Sequence, residues 1–170
     1  MPVESRLEQA YALCLERQPN VIAYRTQAIE IAVPGKRSHW PDFLILDDQG
    51  RLLVRETKQD TAFLDKDYRE KTDWVRGFLY RIGIDYAIVG RADLPTDREL
   101  QNLKVLHQSY TRLPGKFEID HATAALPALL PCTYQALIEA LGDVGKHLLF
   151  TGQLRIDWQK PFNMNSEVWK

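Results

Sequence analysis

Cysteine is scarce in this chain of 170 residues: there are two, Cys14 and Cys132. They lie far apart and lack the paired spacing of a zinc site, so both read as buried, reduced thiols. Charge of one sign is also lacking. A net charge of −1 and a pI near 6.4 exclude a protein that coats nucleic acid by bulk electrostatics. No segment approaches eighteen apolar residues, and the N-terminus has no run that suits a signal peptide. An intracellular protein with no membrane partner is therefore expected. There is no glycine-rich phosphate loop, so no nucleotide cofactor is expected on this chain. His107, His121 and His147 are scattered, without the i,i+4 spacing of a metal pair. Internal repeats and low-complexity tracts are absent.

What is present is enough apolar material for a core, 45% of the residues. The length suits one large domain or one domain with a small appendage. Residues from about 5 to 17 read as a helix with Leu7, Tyr11, Cys14 and Leu15 on one face. Val21 to Tyr24 and Ile29 to Val33 read as strands, then a basic turn, Pro34-Gly35-Lys36-Arg37. Asp65 through Ile82 is a second helix whose buried stripe is Trp74, Val75, Phe78, Leu79 and Ile82. Gly83 stops it. Tyr86 to Val89 is the next strand and Arg98 to Tyr110 a third helix. The order predicts an α/β domain over 1–112, a mixed sheet flanked by helices. Leu113-Pro114-Gly115-Lys116 reads as a linker. Beyond it a helix from Tyr134 to Leu141, a stop at Gly142, a further helical segment from Asp143 to Phe150 and a strand from Gly152 to Trp158 outline a small winged-helix-like unit over 116–170. The tail Pro161 to Ser166 reads as loop.

The chemistry concentrates on one hairpin. Phe43-Leu44-Ile45-Leu46 and Leu52-Leu53-Val54-Arg55-Glu56-Thr57-Lys58 read as paired strands around the turn Asp47-Asp48-Gln49-Gly50. Alternation puts Glu56 and Lys58 on one face, about 6–7 Å apart at Cα, and the pairing brings Asp42 beside Glu56. Two carboxylates and an ammonium at one sheet edge suit a magnesium ion, which takes hard oxygen ligands and keeps several waters. Asp42 and Glu56 are the expected metal ligands, and Lys58 is expected to orient the attacking water or offset phosphate charge. The bland alternative is an acidic turn beside a solvated strand. Lys71 and Tyr68, on the inner side of the second helix, either approach a bound phosphate or cover the core edge. His39 and Trp40 precede the Pro41-Asp42 pair, and loop histidines generally touch neither DNA nor phosphate. Glu8 carries two readings: Ser5-Arg6-Leu7-Glu8 matches a capping box, and the same carboxylate is placed to reach the sheet edge as a third acidic ligand.

Taken in order, these pieces resemble the TnsA-type endonucleases, the nuclease subunits of heteromeric, target-selecting transposons within the PD-(D/E)xK superfamily. The likeness runs through Ser5-x-Leu7-Glu8, Tyr24-x-x-Gln27, Pro41-Asp42-Phe43, Glu56-Thr57-Lys58, Asn102-Leu103-x-x-Leu106-His107 and Gly152-x-Leu154-x-x-Asp157 with Pro161 and Ser166. It implies a restriction-endonuclease-like fold with Glu8, Asp42 and Lys58 at catalytic positions and Glu56 and Gln27 near the metal. It implies an Mg2+-dependent endodeoxyribonuclease, with Mn2+ as a substitute, that nicks one strand of DNA at transposon ends. A transposase subunit and an ATPase regulator are the implied partners, and a bacterial, nucleoid-associated cytoplasmic location follows. Two rivals stand beside this reading: a nuclease of the same fold from a phage or restriction-type system, and a non-catalytic docking protein whose nuclease site has decayed. Residues 98–170 hold eight Lys or Arg against seven Asp or Glu, which favours protein docking over DNA tracking for the C-terminal unit.

Overall fold

The computed structural model describes residues 6–62 and 64–170. The chain divides into two units, residues 1–94 and 95–170. The sequence set this division at 112–116, later than where it falls, so the third helix belongs with the C-terminal unit. Among the described residues no helix is long and apolar enough to cross a membrane.

In the first unit α1 (Arg6–Arg17) turns Glu8, Tyr11 and Leu15 inward, the i, i+3, i+7 stripe of a surface helix. It packs on a four-stranded sheet of order β1-β2-β3-β4, made of β1 (Val21–Thr26), β2 (Phe43–Asp47), β3 (Leu52–Lys58) and β4 (Asp85–Gly90). β1–β2 and β2–β3 are antiparallel, and the pairing Phe43↔Arg55, Leu44↔Val54 places Asp42 next to Glu56 in register. β4 runs parallel to β3, with Val54↔Tyr86 and Glu56↔Ile88. A parallel pair needs a crossover, and α2 (Lys66–Arg81) supplies it. Asp65 caps α2 through its Oδ1, which accepts the Tyr68 amide at 2.8 Å.

Strand alternation sorts the core into two layers. Phe43 and Ile45 meet Tyr11 and Leu15 on the α1 side. Val54 and Tyr86 meet Val75 and Leu79 of α2 on the other. Ile82 is exposed at 57%, outside the expected α2 stripe, because the helix ends at Arg81. Ile29 to Val33 forms no strand. Ile31 makes a single bridge to His39, with two backbone bonds of 2.8 Å. Its alternation reflects burial instead: Ile31 and Val33 are packed into the α2-side cluster.

The second unit holds α3 (Asp97–Gln108), α4 (Lys116–Leu129), β5 (Cys132–Thr133), α5 (Tyr134–Phe150) and β6 (Glu167–Val168). Both α3 and α4 pack on α5. The segment read as a linker leads straight into α4, a helix the sequence concealed because Pro127 interrupts its last turn. α5 breaks where expected. Gly142 sits at φ 53°, ψ −131°, a conformation that side chains resist, and splits the helix into two limbs. Gly145 lets the limbs close up, since a Cβ there would lie 2.9 Å from Leu137 Cγ. The predicted strand from Gly152 to Trp158 shrinks to one bridge, Arg155↔Trp169, while β5 pairs with β6. Cys14 and Cys132 are half-buried rather than buried, and neither is in a disulfide.

Asn102 ties the C-terminal loop to α3. Its buried amide donates at 2.9 Å to the carbonyls of both Trp158 and Lys160. Asn102→Ala removes both bonds and should destabilise the chain by about 1–3 kcal/mol. Chemical denaturation of the two proteins checks this.

Candidate active site at the β2–β3 end

The site grows from the end of the hairpin. The Asp47 carboxylate accepts the Gln49 and Arg51 amides at 3.0 and 2.8 Å, closing the turn and fixing the strand register. At the opposite end Asp42 immediately precedes β2. Its Oδ2 accepts the Thr57 amide at 2.7 Å and the Thr57 hydroxyl at 2.8 Å. Asp42 is thus tied to β3 one residue from Glu56, leaving Oδ1 as the oxygen on which none of its hydrogen bonds among the described residues falls. Gln27 meets Asp42 through the backbone, its amide donating to the Asp42 carbonyl at 2.9 Å, while its side chain is exposed. Gln27 adopts φ 47°, a left-handed turn at the end of β1.

Glu56 lies on the α2 face and is 4% exposed. Oε1 accepts the Tyr68 hydroxyl and faces Lys58 Nζ at 3.2 Å. Oε2 accepts the Tyr86 hydroxyl at 2.9 Å and lies 2.7 Å from His39 Nε2. The approach is close, but its angles are not those of a hydrogen bond, and Nε2 is buried. The Ile31–His39 bridge holds the histidine in place, and its ring meets the edge of Tyr86. Burial pushes the Glu56 carboxyl up, but the close His39 ring, the bond from Tyr68 and the charge of Lys58 outweigh it and hold the group at about 2. Tyr68 and Tyr86 are pushed upward by burial and by Glu56, so both remain phenols that donate. Lys58 Nζ lies 4.8 Å from the Tyr68 ring centre and Lys71 Nζ lies 5.3 Å from it.

The structure therefore brings Asp42, Glu56, Lys58, Tyr68 and Lys71 to one region. Glu8 is buried in α1. Among the described residues no three His, Cys, Asp or Glu side chains gather as a metal-holding group, so Glu8, Asp42 and Glu56 do not form the expected three-acid set. The Ser5 half of the capping box lies outside the described residues. The donor chemistry fits a hard cation at one point, the remaining oxygen of Asp42, since magnesium needs only one or two protein carboxylates. His39 and Tyr86 are the residues that sequence reasoning passed over. For Tyr86 the only signal is strand alternation, which reads as core; for His39 it is the Ile31–His39 pairing, which the sequence does not display.

The shift at Glu56 fixes a pH dependence. Its folded value lies below the ordinary 4.5, so the stabilisation is complete above that value and is lost as pH falls from 4.5 towards 2. Denaturation midpoints of the native chain should fall across this window, and those of Glu56→Gln should fall less. No protein-family model matches the chain, and no curated protein matches it.

Proposed function

We propose that this chain is a metal-dependent DNA endonuclease of the TnsA type, nicking one strand at transposon ends within a multi-protein complex. The observation that carries the reading is the meeting of Asp42, Glu56 and Lys58 at one end of the β2–β3 pair, tied by Thr57. The mixed sheet with α1 on one face and α2 as the β3–β4 crossover is the arrangement expected of a restriction-endonuclease-like core. Asp42 is the carboxylate placed to hold magnesium. A magnesium ion bound there supplies a polarised phosphate and a water of lowered pKa. Lys58 offers its ammonium to the charge that develops on the phosphate, and Lys71 lies nearby as a second cation. Glu8, buried in α1, is assigned to the site by the family resemblance.

The second unit supports a docking role. The order α4, β5, the two limbs of α5 parted at Gly142, and β6 returning to pair with β5 supports a winged-helix-like reading of this unit. Its second α5 limb carries one lysine, Lys146, and that ammonium is committed to Asp143 Oδ1 and the Ser109 carbonyl, each at 2.8 Å. A limb with its lysine so occupied is poorly suited to phosphate. Leu113 and Phe117 are 73% and 83% exposed near the start of α4, a surface for a protein such as the ATPase regulator or the transposase.

Two outcomes follow. Asp42→Asn and Lys58→Ala should each lower metal-dependent cleavage of a transposon-end duplex by about 100-fold or more, with an unchanged melting curve. Gel analysis of an end-labelled strand measures this, and wild-type cleavage by both variants contradicts the assignment. The isolated chain should also bind duplex DNA weakly at physiological salt, because its charge is balanced. Fluorescence anisotropy over a salt series measures it, and tight binding with a steep salt slope is the contrary result.

A further inference from the structure

We propose that Glu56 is a positioning residue that anchors the Lys58 ammonium, and that the cation of the proposed reaction is held through Asp42 without it. The phosphate and the cation rest on the nuclease reading; the anchor geometry stands apart from it. An ionised carboxylate offers about four lone-pair sites. At Glu56 each oxygen accepts one phenol, Tyr68 at Oε1 and Tyr86 at Oε2, and each has a nitrogen close by, Lys58 Nζ at 3.2 Å from Oε1 and His39 Nε2 at 2.7 Å from Oε2. Those groups come from α2, β3, the loop before β2, and β4, so the cage is fixed by the fold as a whole. A hard cation at Oε1 must expel either the Tyr68 phenol or the Lys58 ammonium, and sharing one oxygen with an ammonium sets like charges against each other.

Asp42 is arranged differently. Both of its bonds to Thr57 fall on Oδ2, and Oδ1 faces no such competition among the described residues. The two acids of the motif therefore divide the work. Asp42 presents an oxygen, and Glu56, buried with a phenol on each oxygen, presents a lysine. Lys58 is held on one side by Glu56 at 3.2 Å and rests over the Tyr68 ring, while 35% of its side chain stays exposed. An ammonium has three donors. Held near Oε1 by charge, the ammonium keeps its donors for a phosphate oxygen from a restricted position, with less rotamer freedom left to lose. His39 and Tyr86 act one step further out, holding Oε2 so that Oε1 stays turned to Lys58.

The test titrates Mn2+ alone into the full chain and follows the free ion by electron paramagnetic resonance, each variant being checked by thermal melting. Asp42→Asn should weaken Mn2+ binding by more than about 100-fold, beyond the range for outer partners of a metal site, whereas Glu56→Gln should weaken it by about 10-fold or less. Equal losses in the two variants overturn the proposal. The anchor is read separately, by the rate at which an amine reagent acylates Lys58, located by peptide mass spectrometry. That rate should rise several-fold in Glu56→Gln, and an unchanged rate overturns the anchor whatever the Mn2+ result. Should Glu56→Gln lose its fold, Glu56→Asp keeps the charge but withdraws it by one methylene, and the same two readings apply. A wild-type chain that binds no Mn2+ and cuts no DNA refutes the cation half together with the nuclease reading, leaving the acylation result to decide the anchor.

Discussion

A single buried negative charge organises the first unit. Removing a carboxylate from water costs several kcal/mol unless its oxygens find partners inside the protein. Glu56 finds them on four parts of the chain: Lys58 beside it on β3, Tyr68 on α2, Tyr86 on β4 and His39 in the loop before β2. The β3–β4 register, the seating of α2 and the path of the loop must all be correct for that charge to be satisfied. The Ile31–His39 bridge and the buried Ile31 and Val33 thus serve the site as well as the core. Losing one donor strands a charge, whereas trading two apolar side chains in the same layer costs only their packing.

The second unit uses polar ties of another kind. Asp143 opens the second limb of α5 and accepts from the Thr111 hydroxyl, the Thr111 and Arg112 amides and Lys146. The bonds from Lys146 and Thr111 outweigh burial and hold its carboxyl below the ordinary range. Asn102 does the same for the loop after Leu154, from α3. Fixed loops on a small helical frame suit a surface that must present one shape to a protein partner. The Gly142 break and the Gly145 approach let one helix supply two limbs of that frame.

Patterns set by burial and by local chemistry were readable in the sequence. The Tyr11 and Leu15 face of α1, the Asp47–Gly50 turn, the alternation of β2 and β3 and the stop at Gly142 all follow from spacing and residue type. Readings that depended on which neighbour an apolar segment finds went astray. Ile29 to Val33 has a strand's alternation yet packs as a loop, because β1 already takes the place beside β2. Gly152 to Trp158 has a strand's composition but pairs as a strand only at Arg155 with Trp169 among the described residues. α4 was hidden by Pro114, Gly115 and Pro127, and with it the true division of the chain. In the site, the motif residues Asp42, Glu56 and Lys58 were visible, but the cage was not. Tyr86 reads as core and His39 as loop until tertiary structure turns both to one carboxylate.

The account rests on the β2–β3 end cutting phosphodiester bonds. The most direct measurement incubates the purified chain with an end-labelled duplex bearing a transposon end, at low salt, with Mg2+ and with a chelator. The predicted result is a nick in one strand that needs the metal and disappears on chelation. Intact duplex under every divalent metal tried, at protein concentrations that saturate the DNA, would contradict it.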